Sequence, residues 1–244
     1  AFGRTRAHSF AHSLTHSLAR TRDECHRQSG GNHLGIILDH STRHRAGLFF
    51  GWPMTRLRIA YILPTLGRGG AEACVLTLAR GLDRSRFEPV VIALRGGAMR
   101  ADFEAAGIEV RCCEMRCRFD IARLWRLRKW LREFDLIHSH LFRAGQAVNL
   151  FARKSVPWCH TIHTFEPRRL GPCRANHIAV AQSVAEFHSR RNRRTSADYA
   201  VISNGVDVAH FADASALRPQ WRGQWSVGGG EFVVAWVGRN HPDK

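Results

Sequence analysis

Histidines stand where two apolar runs end in the middle of the chain. FDLIHSHLFRAG carries His138 and His140, and VPWCHTIHTFEP carries His160 and His163 with Glu166 just after them. Imidazole donates or accepts a hydrogen bond and titrates near neutral pH, so it suits contact with a hydroxyl or a phosphate. Side chains alternate along a strand, so His138 and His140 share one face. His160 and His163 point to opposite faces, which disfavours one shared metal ion.

A glycine pair stands where the first apolar run gives way to a helical pattern. In LGRGGAE, Gly69 and Gly70 leave no side chain at this junction. Glycine lets the backbone approach a ligand, and a helix N-terminus offers free N–H groups and a positive dipole end. A phosphate or a sugar hydroxyl would fit there, and a tight turn alone also explains the pair. The dinucleotide fingerprint G-x-G-x-x-G is not met, because counting from Gly67 its last position is Glu72.

Short apolar runs and amphipathic helical patterns alternate from Met54 onward. The runs are apolar on both faces, as is typical of strands buried in a parallel sheet. Regular alternation predicts right-handed crossovers and an α/β fold with a doubly wound, Rossmann-like parallel sheet. Ligands of such sheets bind beyond the carboxyl ends of the strands, where the glycines and histidines fall. The predicted strands are Arg58–Leu63, Pro89–Leu94, Ile108–Arg111, Leu136–Ser139, Pro157–Ile162, His177–Ala181 and Ala200–Ile202.

The chain is strongly basic. Its 244 residues carry a formal net charge of +17, with 37 Lys and Arg against 20 acidic residues. Nearly all the basic residues are arginines, which fits a GC-rich genome as well as a polyanionic partner. The seven cysteines lack paired C-x-x-C spacing, which argues against a disulfide framework and a zinc ribbon and fits a reducing cytosol. Apolar runs long enough to span a membrane are absent from the sequence.

The first 53 residues differ from the rest. They show no apolar period and are rich in Arg, His and Ser. Two interpretations are open, an organelle transit peptide or translated sequence upstream of a true start at Met54. The second is favoured because ordered patterning begins at Met54. We therefore expect residues 1–53 to be disordered or a misread upstream start.

Three further segments, like the histidine and glycine segments, show a strand pattern followed by a turn or a helix. HIAVAQSVAEFH indicates a strand that turns into a helix, VISNGVDVAHF a strand before an Asn-Gly turn, and FVVAWVGRNHPDK a strand before Gly238, Arg239 and Lys244. From about Leu57 to Lys244, this ordered series resembles the retaining glycosyltransferases of family 4, which have the two-domain GT-B fold. One position departs from the family pattern, because Gln182 stands where a Ser usually follows the Ala-Val pair.

The resemblance implies a division of the chain. Residues 54–203 would form the N-terminal Rossmann-like, acceptor-side domain, and residues 204–230 an interdomain linker. Residues 231–244 would hold the first strand of a C-terminal donor-binding domain that the sequence truncates. Because the missing part would carry the family's pair of glutamates near the donor sugar, we expect these 244 residues alone to be inactive.

The resemblance also implies roles for individual residues. His163 would be the catalytic-site histidine, hydrogen-bonded to the transferred sugar or a nearby phosphate. Gly69 and Gly70 would border donor and acceptor, and Arg239 and Lys244 would bind the donor diphosphate. At the end of its strand, His140 is a candidate for lining the cleft. For His138 we favour a hydrogen bond to loop backbone, and for Glu166 a solvated loop carboxylate over a catalytic base.

The function implied is retaining transfer of a sugar from a nucleotide-diphosphate sugar to an acceptor hydroxyl, on a polysaccharide or a lipid-linked glycan of the cell envelope. Neither a cofactor nor a metal ion is expected. One alternative is another GT-B nucleotide-sugar enzyme such as an epimerase. A nucleic-acid-binding module is disfavoured because the basic residues are scattered and no recognition motif appears, so we expect no nucleic-acid partner.

The segment FDIARLWRLRKWLREF predicts a basic amphipathic helix. One interpretation is a surface helix packed on the sheet, with Leu124, Leu127 and Leu131 inward. The other is a weak contact with an anionic membrane, because many family relatives act on acceptors at its inner face. We expect a cytoplasmic protein with salt-sensitive peripheral membrane association.

Overall fold

The computed structural model describes residues 56–117, 120–151, 156–168, 175–206, 208 and 214–235. The chain divides into two compact units, one that ends at Val206 and one that follows it. All the described strands lie in the first unit. The predictions for residues 1–53, Arg239 and Lys244 fall outside the described residues.

Seven parallel strands form one sheet in the order β3-β2-β1-β4-β5-β6-β7. The predicted doubly wound Rossmann-like sheet is confirmed, and each strand end lies within two residues of its prediction. The strands are β1 (Leu57–Leu63), β2 (Phe87–Ala93), β3 (Glu109–Cys112), β4 (Leu136–His140), β5 (Trp158–Ile162), β6 (Asn176–Ala179) and β7 (Tyr199–Val201). The first unit's helices are α1 (Gly70–Gly81), α2 (Arg100–Ala105), α3 (Ile121–Trp130), α4 (Phe142–Phe151) and α5 (Gln182–Asn192).

Two apolar layers cover the sheet, one on each face. Val75 of α1 and Phe103 of α2 pack in one layer, whereas Leu127 of α3 and Val148 of α4 pack in the other. The division follows from handedness, since a right-handed crossover that steps leftward along the sheet places its helix on the face opposite to one that steps rightward. The strand order reverses between β1 and β4, so the helices that follow these two neighbours lie on opposite faces.

Ion pairs join several strands at the amino edge of the sheet. The Arg58 guanidinium lies 3.0 Å from Glu88 Oε1, and its backbone N–H donates to Asp135 Oδ2 at 2.8 Å. Arg111 contacts Glu109 at 2.6 Å and Glu133 at 2.7 Å. Four carboxylates of this basic chain therefore lie together at the amino edge of the sheet.

The second unit is small in its described part. It contains a 3₁₀ turn, Ala214–Leu217, followed by α6 (Arg218–Gln224). These elements fall in the segment predicted as a linker. Residues 231–235 form no regular element, and the remainder of the predicted strand lies outside the described residues.

Candidate functional site

The reversal of strand order places a crevice at the carboxyl ends of β1 and β4. These strands are paired, with Tyr61 opposite His138 and Ile62 opposite Ser139. The connection after β1 leaves towards one face and the one after β4 towards the other, so a gap opens between them. The glycine turn follows β1 and His140 ends β4, so two of the predicted site elements border the same crevice.

The glycine turn is a backbone surface with little side-chain cover. Gly69 is the residue before α1, and no side chain caps the helix there. A Cβ on Gly70 would meet no atom within 4 Å, whereas one on Gly69 would lie 2.5 Å from Glu72 Oε2. Glu72 is buried and accepts a hydrogen bond from Thr65 Oγ1 at 3.4 Å. The free N–H groups of the first helical turn therefore lie beside an open position at Gly70.

A second glycine pair supports this turn, and sequence reasoning missed it. A Cβ on Gly97 would lie 2.7 Å from the Gly67 nitrogen and closer still to the Leu66 carbonyl. The Met99 N–H donates to the Leu66 oxygen at 2.9 Å. The loop after β2 thus presses its backbone directly against the loop after β1. The signal was available, because Gly96 and Gly97 follow β2 as Gly69 and Gly70 follow β1.

Replacement of Gly97 by Ala should destabilise the protein by about 2 kcal/mol, because backbone must move to admit the methyl group. Gly96→Ala is the matched control, since its Cβ would meet only the flexible end of Glu114, at 2.9 Å from Oε1. Urea unfolding of both variants measures the difference. Equal midpoints would show that the two loops separate without cost.

Aromatic and imidazole rings form a continuous array on the β1–β4–β5 face. The Tyr61 ring lies 5.4 Å from that of His138, and the His138 and His140 rings are 4.1 Å apart. His140 Nδ1 and His163 Nε2 form a hydrogen bond of 2.9 Å, with stacked rings 5.3 Å apart. The structure therefore brings together His140 and His163, the two histidines predicted for the site.

Burial keeps these rings neutral. The pKa of His138 is lowered from 6.5 to about 3 and that of His163 to about 4, in each case chiefly because burial disfavours the charged form. The same cause holds the pKa of His140 well below its usual range. His163 is half-buried, whereas His138 and His140 are fully buried. At neutral pH the array offers uncharged hydrogen-bonding groups.

The odd spacing of the second histidine pair has the predicted consequence. His160 and His163 face opposite sides of the sheet. On its own side, His160 Nδ1 forms a hydrogen bond with Ser139 Oγ at 2.9 Å. Ser139 Oγ also accepts from the Trp158 indole N–H at 2.8 Å. His160 is thus held in a buried polar network, away from the crevice.

One partner predicted from the sequence is wrong. His138 does not bond loop backbone; its Nε2 bonds the hydroxyl of Thr161 on the neighbouring strand at 2.7 Å. The strand register explains the difference, because His140 lies opposite Thr161 and the long imidazole of His138 reaches diagonally along the same face. His138 is a structural residue of the sheet.

Two residues in the connections that follow β4 and β5 have distinctive local geometry. Leu141, directly after His140, has a φ of 66°, a left-handed conformation that is uncommon for a leucine. It turns the chain from β4 into α4 within one residue. Glu166 binds the Arg168 guanidinium through both carboxylate oxygens, each at 2.8 Å, and this contact lowers its pKa. An ion-paired carboxylate with a lowered pKa is a poor general base.

Other site classes were searched within the described ranges. No group of three or more His, Cys, Asp and Glu side chains there has an arrangement that could hold a metal ion. None of the helices in that part of the chain combines the length and apolar character needed to cross a bilayer.

Comparison with solved structures identifies similar folds. The chain resembles Anabaena Alr3699/HepE in complex with UDP-glucose, with a TM-score of 0.58, 20% identity, and coverage of 68% of this chain and 50% of that one. It also resembles a glycosyltransferase from Rickettsia africae ESF-5, with a TM-score of 0.53, 12% identity, and coverage of 72% and 51%. The chain therefore spans about half the length of these structures.

Comparison of the sequence with family models found a specific match, whereas comparison with curated proteins found none. No curated protein matches the chain. The family model described as Glycosyltransferase Family 4 matches residues 68–210, which is more than half of the 244 residues. The match contains the glycine pair, both histidine segments and the start of the NGVD segment at Asn204. The chain belongs to Glycosyltransferase Family 4.

Proposed function

We propose that the protein is a glycosyltransferase that moves a sugar from a nucleotide-diphosphate sugar to an acceptor hydroxyl with retention of configuration. The observation that supports the proposal is that the glycine turn follows β1 while the hydrogen-bonded His140–His163 pair stands at the ends of β4 and β5, all at the carboxyl edge of neighbouring strands. The acceptor is a polysaccharide or a lipid-linked glycan. The structure of Anabaena Alr3699/HepE with UDP-glucose makes UDP-glucose the first donor to test.

The residues suit the electrostatics of such a transfer. As the bond to the anomeric carbon breaks, negative charge grows on the departing diphosphate, and donors aimed at it lower the barrier. Backbone N–H groups at Gly69 and Gly70 and the imidazole of His163 are the donors that this unit supplies. Arg239 and Lys244 are proposed to bind the diphosphate from the chain that follows. We assign the reaction no metal ion and no protein nucleophile.

Turnover by the full-length polypeptide that carries this chain tests the proposal. The assay incubates it with UDP-glucose and a glycan mixture from the source cell envelope and follows UDP release and the anomeric proton of the product. UDP release with an α-linked product from the α-configured donor supports retaining transfer. An epimerase would instead change the nucleotide sugar without an acceptor.

Gly70→Val should lower turnover of the full-length enzyme by about 100-fold, because the branched side chain occupies the open position beside the helix N-terminus and displaces the ligand. The fold should survive, because a Cβ there meets no atom within 4 Å. Gly81→Val is the matched control at the other end of α1, where a Cβ is equally unhindered. Similar turnover in both variants would show that the glycine pair only forms the turn and does not contact the ligand.

Salt-sensitive binding to anionic vesicles is proposed for α3. Its Leu127 is buried in the core, as predicted, and Trp125 is 59% exposed beneath the Arg128 guanidinium at 4.8 Å. Each basic residue near an anionic surface contributes about 1 kcal/mol. Flotation with phosphatidylserine vesicles at low salt measures this binding, and the double variant R126E/K129E should no longer float with the vesicles. Equal loss in the control R190E/R193E, at the C-terminal end of α5, would show that net charge alone matters.

A further inference from the structure

Two imidazole rings form a hydrogen-bonded pair at the ends of β4 and β5, His140 through Nδ1 and His163 through Nε2. We propose that His140 is a positioning residue that holds His163 in the tautomer with its proton on Nδ1. His163 then meets its ligand as a neutral hydrogen-bond donor. The functional meaning of this assignment rests on the proposed glycosyl transfer, whereas the tautomer itself does not.

One proton lies in the hydrogen bond between the two rings, and it is bonded to one ring or the other. The 2.9 Å distance between the two nitrogens requires one of them to donate and the other to accept. Burial lowers the pKa of both rings far enough that neither is charged at neutral pH. Each neutral ring carries one N–H, so only two arrangements of the protons are possible.

The surroundings of His140 choose between these arrangements. Its other nitrogen, Nε2, is completely buried and has no hydrogen-bond partner among the described residues. If His163 donated, His140 would carry its proton on Nε2 and bury an unpaired donor, which folded proteins rarely do. If His140 donates from Nδ1, only a lone pair is left unpaired at Nε2. The second arrangement leaves the proton of His163 on Nδ1.

The assignment fixes what His163 can recognise. Its Nε2 is occupied as an acceptor by His140, and its Nδ1–H is left to donate to an oxygen of the ligand. A diphosphate oxygen or a sugar hydroxyl of the donor substrate provides such an acceptor. His163 in this tautomer stabilises charge that grows on oxygen and does not remove a proton from the acceptor hydroxyl. His140 contributes without touching the substrate.

Nitrogen NMR of the 244-residue chain with ¹⁵N-labelled histidine reads the tautomer directly. At pH 7.5 we expect the His163 ring to show a protonated Nδ1 and an unprotonated Nε2, with H163Q identifying the signals by their loss. A protonated Nε2 and a bare Nδ1 in the native chain would overturn the proposal. No turnover is needed, so an inactive enzyme with the expected tautomer would contradict the proposed function alone.

Two variants test whether His140 is the cause. In H140N the side-chain amide can donate from about the position of Nδ1, so the His163 tautomer should be kept. In H140D the carboxylate can only accept, so a proton should appear on His163 Nε2. An unchanged, bare Nε2 in H140D would show that something else sets the tautomer. If a variant fails to fold, the native spectrum still decides the assignment.

Discussion

Lowering the pH from 7.5 to 5 should remove most of the stability of this protein. The pKa of His138 in the folded chain is about 3, against an ordinary value of 6.5, and those of His140 and His160 are also well below that value because of burial. Below pH 6.5 these histidines bind protons in the unfolded chain but not in the folded chain. Stability is therefore complete above pH 6.5 and falls as the pH drops towards the folded-state values.

The expected loss of unfolding free energy is large for a change of only 2.5 pH units. The histidines with the best-defined shifts are His138, with a folded-state pKa of about 3, and His163 and His177, each with a pKa of about 4. Each contributes about 1.4 kcal/mol for every pH unit below 6.5, so the three together remove roughly 6 kcal/mol of stability at pH 5. Typical domains are stable by only about 5 to 15 kcal/mol. Urea unfolding at pH 7.5 and pH 5 measures the loss.

H138Q provides the matched control for acid unfolding. A glutamine amide can keep the hydrogen bond to Thr161 Oγ1, which His138 makes at 2.7 Å, but it does not titrate. The variant should lose less stability than the native chain on acidification, by the share of one histidine. A urea midpoint that does not change between pH 7.5 and pH 5 in the native chain would contradict the buried, neutral state of the array.

Replacement of His163 by Ala should lower the turnover number of the full-length enzyme by about 100-fold or more, the usual effect of removing one donor from developing charge. Stability should fall by about 1 to 3 kcal/mol, because the buried Nδ1–H of His140 loses its acceptor, while the His163 ring itself is only half-buried. Steady-state kinetics with UDP-glucose and urea unfolding together give both quantities.

His160→Ala is the reciprocal test on the opposite face of β5. It removes a buried ring bonded to Ser139, so it should cost a few kcal/mol of stability. Turnover per folded molecule should remain, since His160 lies away from the crevice. If the two variants lose activity alike, the assignment of His163 to the site fails, because opposite faces of one strand would then be indistinguishable.

The sequence predicted the elements better than it predicted contacts between them. The strands were found because residues such as Tyr61 and Ile62, which face opposite sides, are both buried apolar groups. The start of α1 was found because Gly70 opens an apolar helical period. Patterns of this kind depend only on residues that are close together in the chain. They also predicted correctly that His160 and His163 face opposite sides of the sheet.

Contacts across strands were beyond local patterns. The bond between His140 and His163 depends on the β4–β5 register, in which Ser139 lies opposite His160. The true partner of His138, Thr161, depends on the same register. The approach of Gly97 to Leu66 depends on two loops that meet only in the folded sheet. Each is a tertiary property, and none leaves a periodic trace in the chain.

The order of the strands has a consequence for how the protein folds. Every strand pair except β1–β4 joins strands that are consecutive along the chain. The bond from the Arg58 backbone to Asp135, at the start of that exceptional pairing, spans 77 residues. Closing so long a loop carries the largest entropic cost in the sheet, and we expect it to be the slow step. The β1–β2–β3 half and the β4–β7 half can each gain structure earlier, and the crevice is created only when they join.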